Sequence, residues 1–493
     1  MRSFKRQFKN NKIVGLCHGV FDLIHIGHIR HFIEAKKYCN YLIVSITSDK
    51  YVKKSKGPNK PFFNENERLK ILENIKIVDK VIVSDSETAE KSIKFFKPNF
   101  YFKGKDYSKS NDKNLSHEKK AITSVNGKII YTKSPLNSSS KIINQNFFHN
   151  ENYFKKNFSS SNKKVFLEKI KKFCNKMVSG KVLVIGEHII DTYVSTDVQG
   201  KSAKNNILTS SFNSSKSYGG GAILVSNLIS SFINGVDTVC FDNSYNKNIY
   251  NSYLNKNINR INFKTNAKAI IKKRYLDSYS GIKLFQINSN QEDILKEDFK
   301  KKFKKFFFKL NLKKYDAIIV FDYGHGLIDK SIVERISKFY NKTYINCQSN
   351  SFNFGYNLFS KYKMSKAISM DETEFRLLVQ DKFTNIKKLL KKNNKLFTKF
   401  KNTIVTMGKN GAYHISKGEI NFIDSIIKSS KDSTGCGDVF FSTYIILDIF
   451  SNLNLSEKII ICHLCAGIHA EYEGNKNRIN KDNLVKFSKS YLF

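Results

Sequence analysis

The chain has 493 residues, too many for one ordinary domain, so two or three are expected. Hydrophobic residues make up 40% of it, enough for proper cores, yet no run is apolar for the length a membrane span needs and the first residues carry no apolar signal core, so a cytoplasmic protein without a membrane partner is expected. The net charge of +43 invites a nucleic-acid reading, but the basic residues are dispersed among Asn, Ile, Phe and Tyr, Trp is absent and Pro is rare; that pattern reads as coding bias and a solvated surface, with no specific nucleic acid as partner.

In chain order, Ile13-Val14-Gly15-Leu16-Cys17 reads as a buried strand. Gly19-Val20-Phe21-Asp22-Leu23-Ile24-His25-Ile26-Gly27-His28 follows, and then a helical pattern with Ile29, Phe32, Ile33 and Ala35 on one side. The two histidines therefore sit where a strand becomes a helix. Free N–H groups and the positive helix end there suit a phosphate, and Gly27 lets a nucleotide come close to the backbone. Tyr41 to Thr47 is a second buried strand, followed by a lysine-rich loop up to Pro61, and Asn64 caps a helix with Glu67 three residues on. Further strands are expected at Val78 to Val83, from Phe100 and from Lys128. Strands alternating with helices imply a parallel sheet with ligand at its carboxyl ends.

The His25-Ile26-Gly27-His28 stretch resembles the HxGH signature of the nucleotidyltransferase superfamily, in the branch of glycerol-phosphate cytidylyltransferases and heptose-phosphate adenylyltransferases. The resemblance covers residues 10–145 and implies a Rossmann-like domain. It implies that His25 and His28 grip a triphosphate and stabilise charge on the α-phosphate, with no covalent intermediate. Gly19, Phe21, Asp22 and Gly27 then line the nucleotide site, and Arg68 reaches the phosphates. Lys103-Gly104-x-Asp106 resembles a motif beside the nucleotide or sugar. Ser138, Ser139 and Ser140 resemble the family's hydroxyl-rich motif for the β- and γ-phosphates.

Residues 146–178 read as a linker, with helical spacing from Val165 to Met177, and 179–493 as a second α/β domain. Lys181 to Asp191 is a buried strand, a turn and an acid. Gly219-Gly220-Gly221 opens an apolar helix, and three glycines there suggest close approach of a ligand. In Asp432-Ser433-Thr434-Gly435-Cys436-Gly437-Asp438, the N–H groups of Gly435, Cys436 and Gly437 would point at an anion from the N-terminus of a buried helix, and Asp438 could take a proton from an attacking hydroxyl. Cys462-His463-Leu464-Cys465 gives one CxxC with no second pair, and with His469 the close candidate for a further ligand it reads as core residues rather than a zinc site.

The Asp432 to Asp438 stretch resembles the second signature of the ribokinase-like sugar kinases, with Ser433 and Cys436 as mild departures. The resemblance implies that Asp438 is the catalytic base and Gly435 to Gly437 the anion hole. It places Asp191, Gly220, Gly221 and Asn227 at the sugar, and Lys273 and Arg274 on a sugar phosphate. Asp371-Glu372-Thr373-Glu374 stands where the family has Asn-x-x-Glu, implying that Glu374 helps organise phosphate and Mg²⁺ and that Asp371 serves the metal through water. The Asp for Asn leaves the degree of kinase activity open.

Together the two signatures resemble the bifunctional enzymes of ADP-heptose synthesis, with the domain order reversed. That implies Mg²⁺-dependent phosphorylation of heptose 7-phosphate at C1, and transfer of AMP from ATP to heptose 1-phosphate, releasing pyrophosphate. The alternative is a CTP-dependent polyol-phosphate cytidylyltransferase carrying a sugar-binding or weakly active kinase-like domain. In either case the partners are sugar or polyol phosphates and a nucleoside triphosphate, and a homo-oligomer is compatible with the sequence.

Overall fold

A computed structural model describes residues 12–56, 61–104, 113–132, 160–175, 178–202, 204–425, 432–472, 474–475 and 479–492. The chain divides into two compact units, Met1–Phe147 and Phe148–Phe493. Among the sequence-derived site residues, Asp106, Ser138, Ser139 and Ser140 lie outside the described residues.

In the first unit β1 (Val14–Gly19), β2 (Tyr41–Thr47), β3 (Lys80–Ser84), β4 (Phe100–Gly104) and β5 (Lys128–Thr132) form one parallel sheet in the order β3-β2-β1-β4-β5. Side chains alternate across a strand. Cys17, Val44 and Phe102 therefore enter one apolar layer, and their neighbours Leu16, Ile43 and Tyr101 the other. Both faces are covered, which is why these strands read as unbroken apolar runs. The strand order reverses between β1 and β4, so a crevice opens at their carboxyl ends. The helix Ile26–Lys36 starts there, and Asn64 and Glu67 form a full capping box on the helix Glu65–Glu73.

The second unit begins earlier than the sequence suggests. The helix Ser160–Cys174 falls inside the stretch read as linker, yet its Phe166, Leu167 and Ile170 are buried in this unit's core. The strands are β6 (Val178–Gly186), β7 (His188–Lys201), β8 (Leu208–Gly221), β9 (Ile233–Asp242), β10 (Asn259–Lys264), β11 (Ile270–Asp277), β12 (Lys283–Ser289), β13 (Ala317–Asp322), β14 (Thr343–Cys347), β15 (Ser365–Asp371), β16 (Phe400–Thr406), β17 (Gly411–Ser416) and β18 (Glu419–Asp424). The larger sheet runs β10-β9-β6-β13-β14-β15-β16-β17-β18, parallel as far as β16. A smaller sheet has the order β12-β11-β7-β8. The chain changes sheets at Glu187, between β6 and β7. The glycines at 219 to 221 are the end of β8 rather than a loop, and Gly221, at φ +57°, turns it into the buried helix Ala222–Ser230.

Two candidate active sites

In the first unit His25 is the N-cap of the helix Ile26–Lys36, and its ring stacks on His28 with centroids 3.8 Å apart. The Gly27 N–H donates to His25 Nδ1 (3.1 Å), which puts the neutral ring's proton on Nε2. That Nε2 is buried and has no hydrogen-bond partner among the described residues. Phe21 packs edge-on against His28, and both Phe21 and Leu23 hold φ near +48°, so the loop between β1 and the helix stores backbone strain beside the two rings. A Cβ on Gly19 would press within 3.2 Å of the Phe21 ring.

Two further histidines, not singled out in the sequence, lie on the strand before this pair and in the helix after it. His18, on β1, meets Ser45 (3.1 Å), and His31 Nδ1 meets Thr132 Oγ1 (2.8 Å). Burial lowers both to about 4, and the Lys103 charge adds to the effect. Lys103, near the end of β4 beside Gly104, pairs with the buried Glu118 (2.8 Å).

Two expectations need correcting. Arg68 is completely buried: its guanidinium donates to the carbonyl oxygens of Phe63 (3.0 Å), Val20 (2.6 Å) and Thr47 (2.9 Å) and pairs with Asp49 (2.6 Å). It ties the loops around the crevice together and does not project toward phosphates. Asp22 likewise accepts from the Phe62 and Phe63 N–H groups (2.7 and 3.0 Å), so its carboxylate anchors the segment entering the Glu65–Glu73 helix.

In the second unit Gly435, at φ +78°, is the N-cap of the buried helix Cys436–Phe450, and Asp438 lies in that helix's first turn. Asp438 accepts from Tyr323 Oη (3.1 Å) and Gln348 Nε2. Burial raises its carboxyl to about 7, against the pull of those two bonds. A Cβ on Gly437 would meet nothing within 4 Å, so its backbone faces open space. That space is a pocket of about 130 Å³ between Ser433, Cys436 and Gly437 on one side and Thr406, Gly408 and Gly411 on the other. Burial pushes the Cys436 thiol up to about 12, so it stays protonated.

Asp191, on β7, pairs with Arg274 and accepts from the Asn475 amide. A Cβ on Gly220 would lie 2.1 Å from Asp191 Oδ2, so a side chain there would push the carboxylate away from Arg274 and Asn475. Strand register corrects a further expectation. Lys272 stands directly across from Asp191 on the neighbouring strand, Lys273 across from Thr192, and Arg274 across from Tyr193. Lys272 and Arg274 therefore share the Asp191 face, while Lys273 is exposed on the other. Burial lowers Lys272, partly countered by Asp191, and its charge also reaches Asp438 and Glu187. Asn227 is not aimed at this space: its amide donates to the Tyr253 carbonyl (2.7 Å) and its oxygen accepts from the Asn255 N–H (2.8 Å).

Glu187, absent from the sequence reading, accepts from the Tyr323 and His325 N–H groups (3.1 Å each), and burial with nearby Asp322 raises it. The His325 ring is fully buried with neither nitrogen partnered among the described residues. Asp432 collects Lys283 (2.8 Å), Tyr193 (2.8 Å), the Thr434 N–H and hydroxyl, and the Gly474 N–H. Burial alone would raise Asp432, yet these bonds hold it well below the usual carboxylate range. Tyr193 and Lys283 come from the smaller sheet, so Asp432 fastens that sheet to the segment entering the Cys436–Phe450 helix.

Asp371 caps the helix Glu372–Val379 in a capping box with Glu374. Glu374 also accepts from the Ser349 N–H (2.8 Å), and burial with Asp371 beside it raises its carboxyl. Among the described residues no group of three or more His, Cys, Asp or Glu side chains gathers to hold a metal ion. Cys462, Cys465 and His469 lie buried in the helix Leu455–Ala470.

Fold and site thus define two α/β domains, each placing chemically active side chains at a helix N-terminus behind parallel strands. Residues 16–166 match the cytidylyltransferase-like family, and residues 339–482 match the pfkB family of carbohydrate kinases. The chain accordingly carries a cytidylyltransferase-like domain followed by an α/β unit whose later part is similar to the pfkB carbohydrate kinases. Over the N-terminal domain it resembles proteins named bifunctional protein HldE: 42% identical over 59 residues in Hyphomonas neptunium (12% of each chain) and 40% over 60 residues in Campylobacter jejuni (12% of this chain, 13% of that one). The matched stretch is thus only a small part of those relatives' length. Among solved structures, a Thermotoga maritima ribokinase overlays 63% of this chain and 99% of its own with TM-score 0.48 at 18% identity. Arabidopsis thaliana ribokinase with ribose and ATP gives the same coverage with TM-score 0.45 at 16% identity.

Proposed function

We propose that the chain is a bifunctional enzyme: its first domain transfers a nucleotidyl group to a sugar phosphate, and its second phosphorylates a sugar phosphate at the anomeric position. The observation that carries this reading is that one chain holds both a stacked imidazole pair at one helix N-terminus and a buried carboxylate, raised to about 7, at another.

In the first reaction His25 Nε2–H donates to the triphosphate. An acceptor phosphate oxygen attacks the α-phosphorus, the bond to the bridging oxygen breaks, and pyrophosphate leaves. In the second, Asp438 takes the proton of the sugar hydroxyl as its oxygen attacks the γ-phosphorus, the bond to the bridging oxygen breaks and the nucleoside diphosphate leaves. The N–H groups of Gly435 and Gly437 face the transferred phosphoryl group, whereas that of Cys436 is bonded to the Ser433 carbonyl (3.2 Å). Asp191 and Arg274 hold the sugar, with Lys272 beside them. Glu374 and Asp371 commit oxygens to backbone N–H groups, which fits contact with Mg²⁺ through water rather than direct ligation. The metal would neutralise triphosphate charge.

The preferred substrates are heptose 7-phosphate for the kinase, and ATP with heptose 1-phosphate for the transferase, giving ADP-heptose. A CTP-dependent polyol-phosphate cytidylyltransferase is the second reading, favoured by the match to the cytidylyltransferase-like family. Pyrophosphate release separates them, with ATP and CTP each offered heptose 1-phosphate and glycerol 3-phosphate. Release only with ATP and heptose 1-phosphate supports the first reading; release only with CTP and glycerol 3-phosphate replaces it with the second.

A further inference from the structure

Strands β15 and β16 end at the kinase site, in Asp371 and in Thr406 beside the pocket at Cys436. They begin in a different cavity, of about 540 Å³, whose wall includes Ser365 and Lys366 of β15 and Phe400 and Lys401 of β16. Seven residues of strand, roughly 20 Å, separate the two ends. This second cavity is thus distinct from the site already described, and its volume falls within the usual range for small-molecule pockets.

Its lining contains Lys366, Lys399, Lys401 and Lys417 and no Asp or Glu. Lys366 lies 3.5 Å from Asp448, whereas the other three make no ion pair with any described residue. Lysine is common in this chain, so its presence alone would carry nothing. The contrast is with the lysine-rich helix Glu297–Lys309, where Lys300 and Lys302 pair with acids of their own helix. The cavity is also concave and two-faced. Tyr340 and Met364 are 46% and 43% exposed in its wall, an apolar surface within the same enclosure as the cations. Asn394, also in the wall, donates to the Gly418 carbonyl (3.1 Å), and its own Oδ1 is buried with no partner among the described residues. A cationic patch, an apolar face and an unused acceptor match one kind of molecule.

We propose that this cavity binds an organic phosphate. The phosphoryl group lies against Lys399, Lys401 and Lys417, the apolar or ring-bearing body against Tyr340 and Met364, and a donor group of the ligand reaches Asn394 Oδ1. The site is independent of the two reactions proposed above.

ADP is the probe. In equilibrium dialysis with radiolabelled ADP, the full chain is expected to bind one more ADP at saturation than the Lys399→Glu/Lys401→Glu/Lys417→Glu variant. Equal stoichiometry overturns the proposal. A second measurement does not depend on that variant folding. Ser416→Cys places a thiol in the cavity wall, and its alkylation is followed by mass spectrometry at that residue. ADP is expected to slow the alkylation severalfold and adenosine to leave it unchanged. No protection by ADP, or equal protection by adenosine, overturns the proposal. Neither readout requires catalysis, so a negative result leaves the two proposed activities standing.

Discussion

At the scale of single residues, His25 and Asp438 are the two side chains on which the proposed chemistry turns. His25→Ala removes the Nε2 donor and is expected to lower nucleotidyl transfer roughly 10²- to 10³-fold, with kinase activity unchanged; pyrophosphate release and sugar phosphorylation measured on the same preparation check this. Asp438→Asn is expected to do the reverse, costing about 10²-fold or more in phosphorylation as the loss of a general base does. Because burial raises Asp438 to about 7, its ionised form dominates only above that pH. Kinase kcat/KM should therefore rise with pH through about 7, be lost as pH falls below it, and lose this limb in the Asn variant. Lys272 and Lys273 give a sharper comparison. Lys272→Gln should raise KM for the sugar phosphate, while Lys273→Gln, on the exposed face, should leave it alone. Equal effects would refute the assignment by register.

At the scale of elements, what the sequence disclosed depended on whether a residue's role is local. The strand–histidine–helix junction and the Gly435 to Asp438 turn are legible because one short stretch supplies both the anion-facing N–H groups and the reactive side chain. Asn64 and Glu67 could be read as a cap for the same reason. Lys272 could not be told from Lys273, because which of two adjacent lysines faces Asp191 depends on how β11 pairs with β7, and pairing is a long-range fact. The roles of Glu187 and Asp432 are not legible for a related reason: their partners come from distant strands and loops. Arg68 was misread because an arginine near a phosphate site looks the same in sequence whether it points at the ligand or holds the loops. Here it joins carbonyl oxygens from three segments, so Arg68→Ala should destabilise the first unit by about 3 kcal/mol or more, the scale for breaking a buried charged network. Urea unfolding followed by limited proteolysis should detect the loss in that unit alone.

At the scale of the whole molecule, each compact unit has hydrophobic clusters of its own. Cutting the chain just before Ser160 is expected to give two pieces that each fold, the second keeping Phe166, Leu167 and Ile170 in its core. Cutting after Cys174 instead should leave that piece poorly soluble; equal behaviour of the two cuts would show that the helix is dispensable.

The crowding at Gly220 bears on how this chain can change over generations. Every single-base change that replaces a glycine with another amino acid adds a Cβ, and here that atom would collide with Asp191. Any such step at position 220 therefore displaces the Asp191 carboxylate from its partners Arg274 and Asn475. Where the Asp191–Arg274 pair is kept, the glycine is expected to be kept with it. Among sequences of this lineage a replaced Gly220 beside a retained Asp191 should be rare.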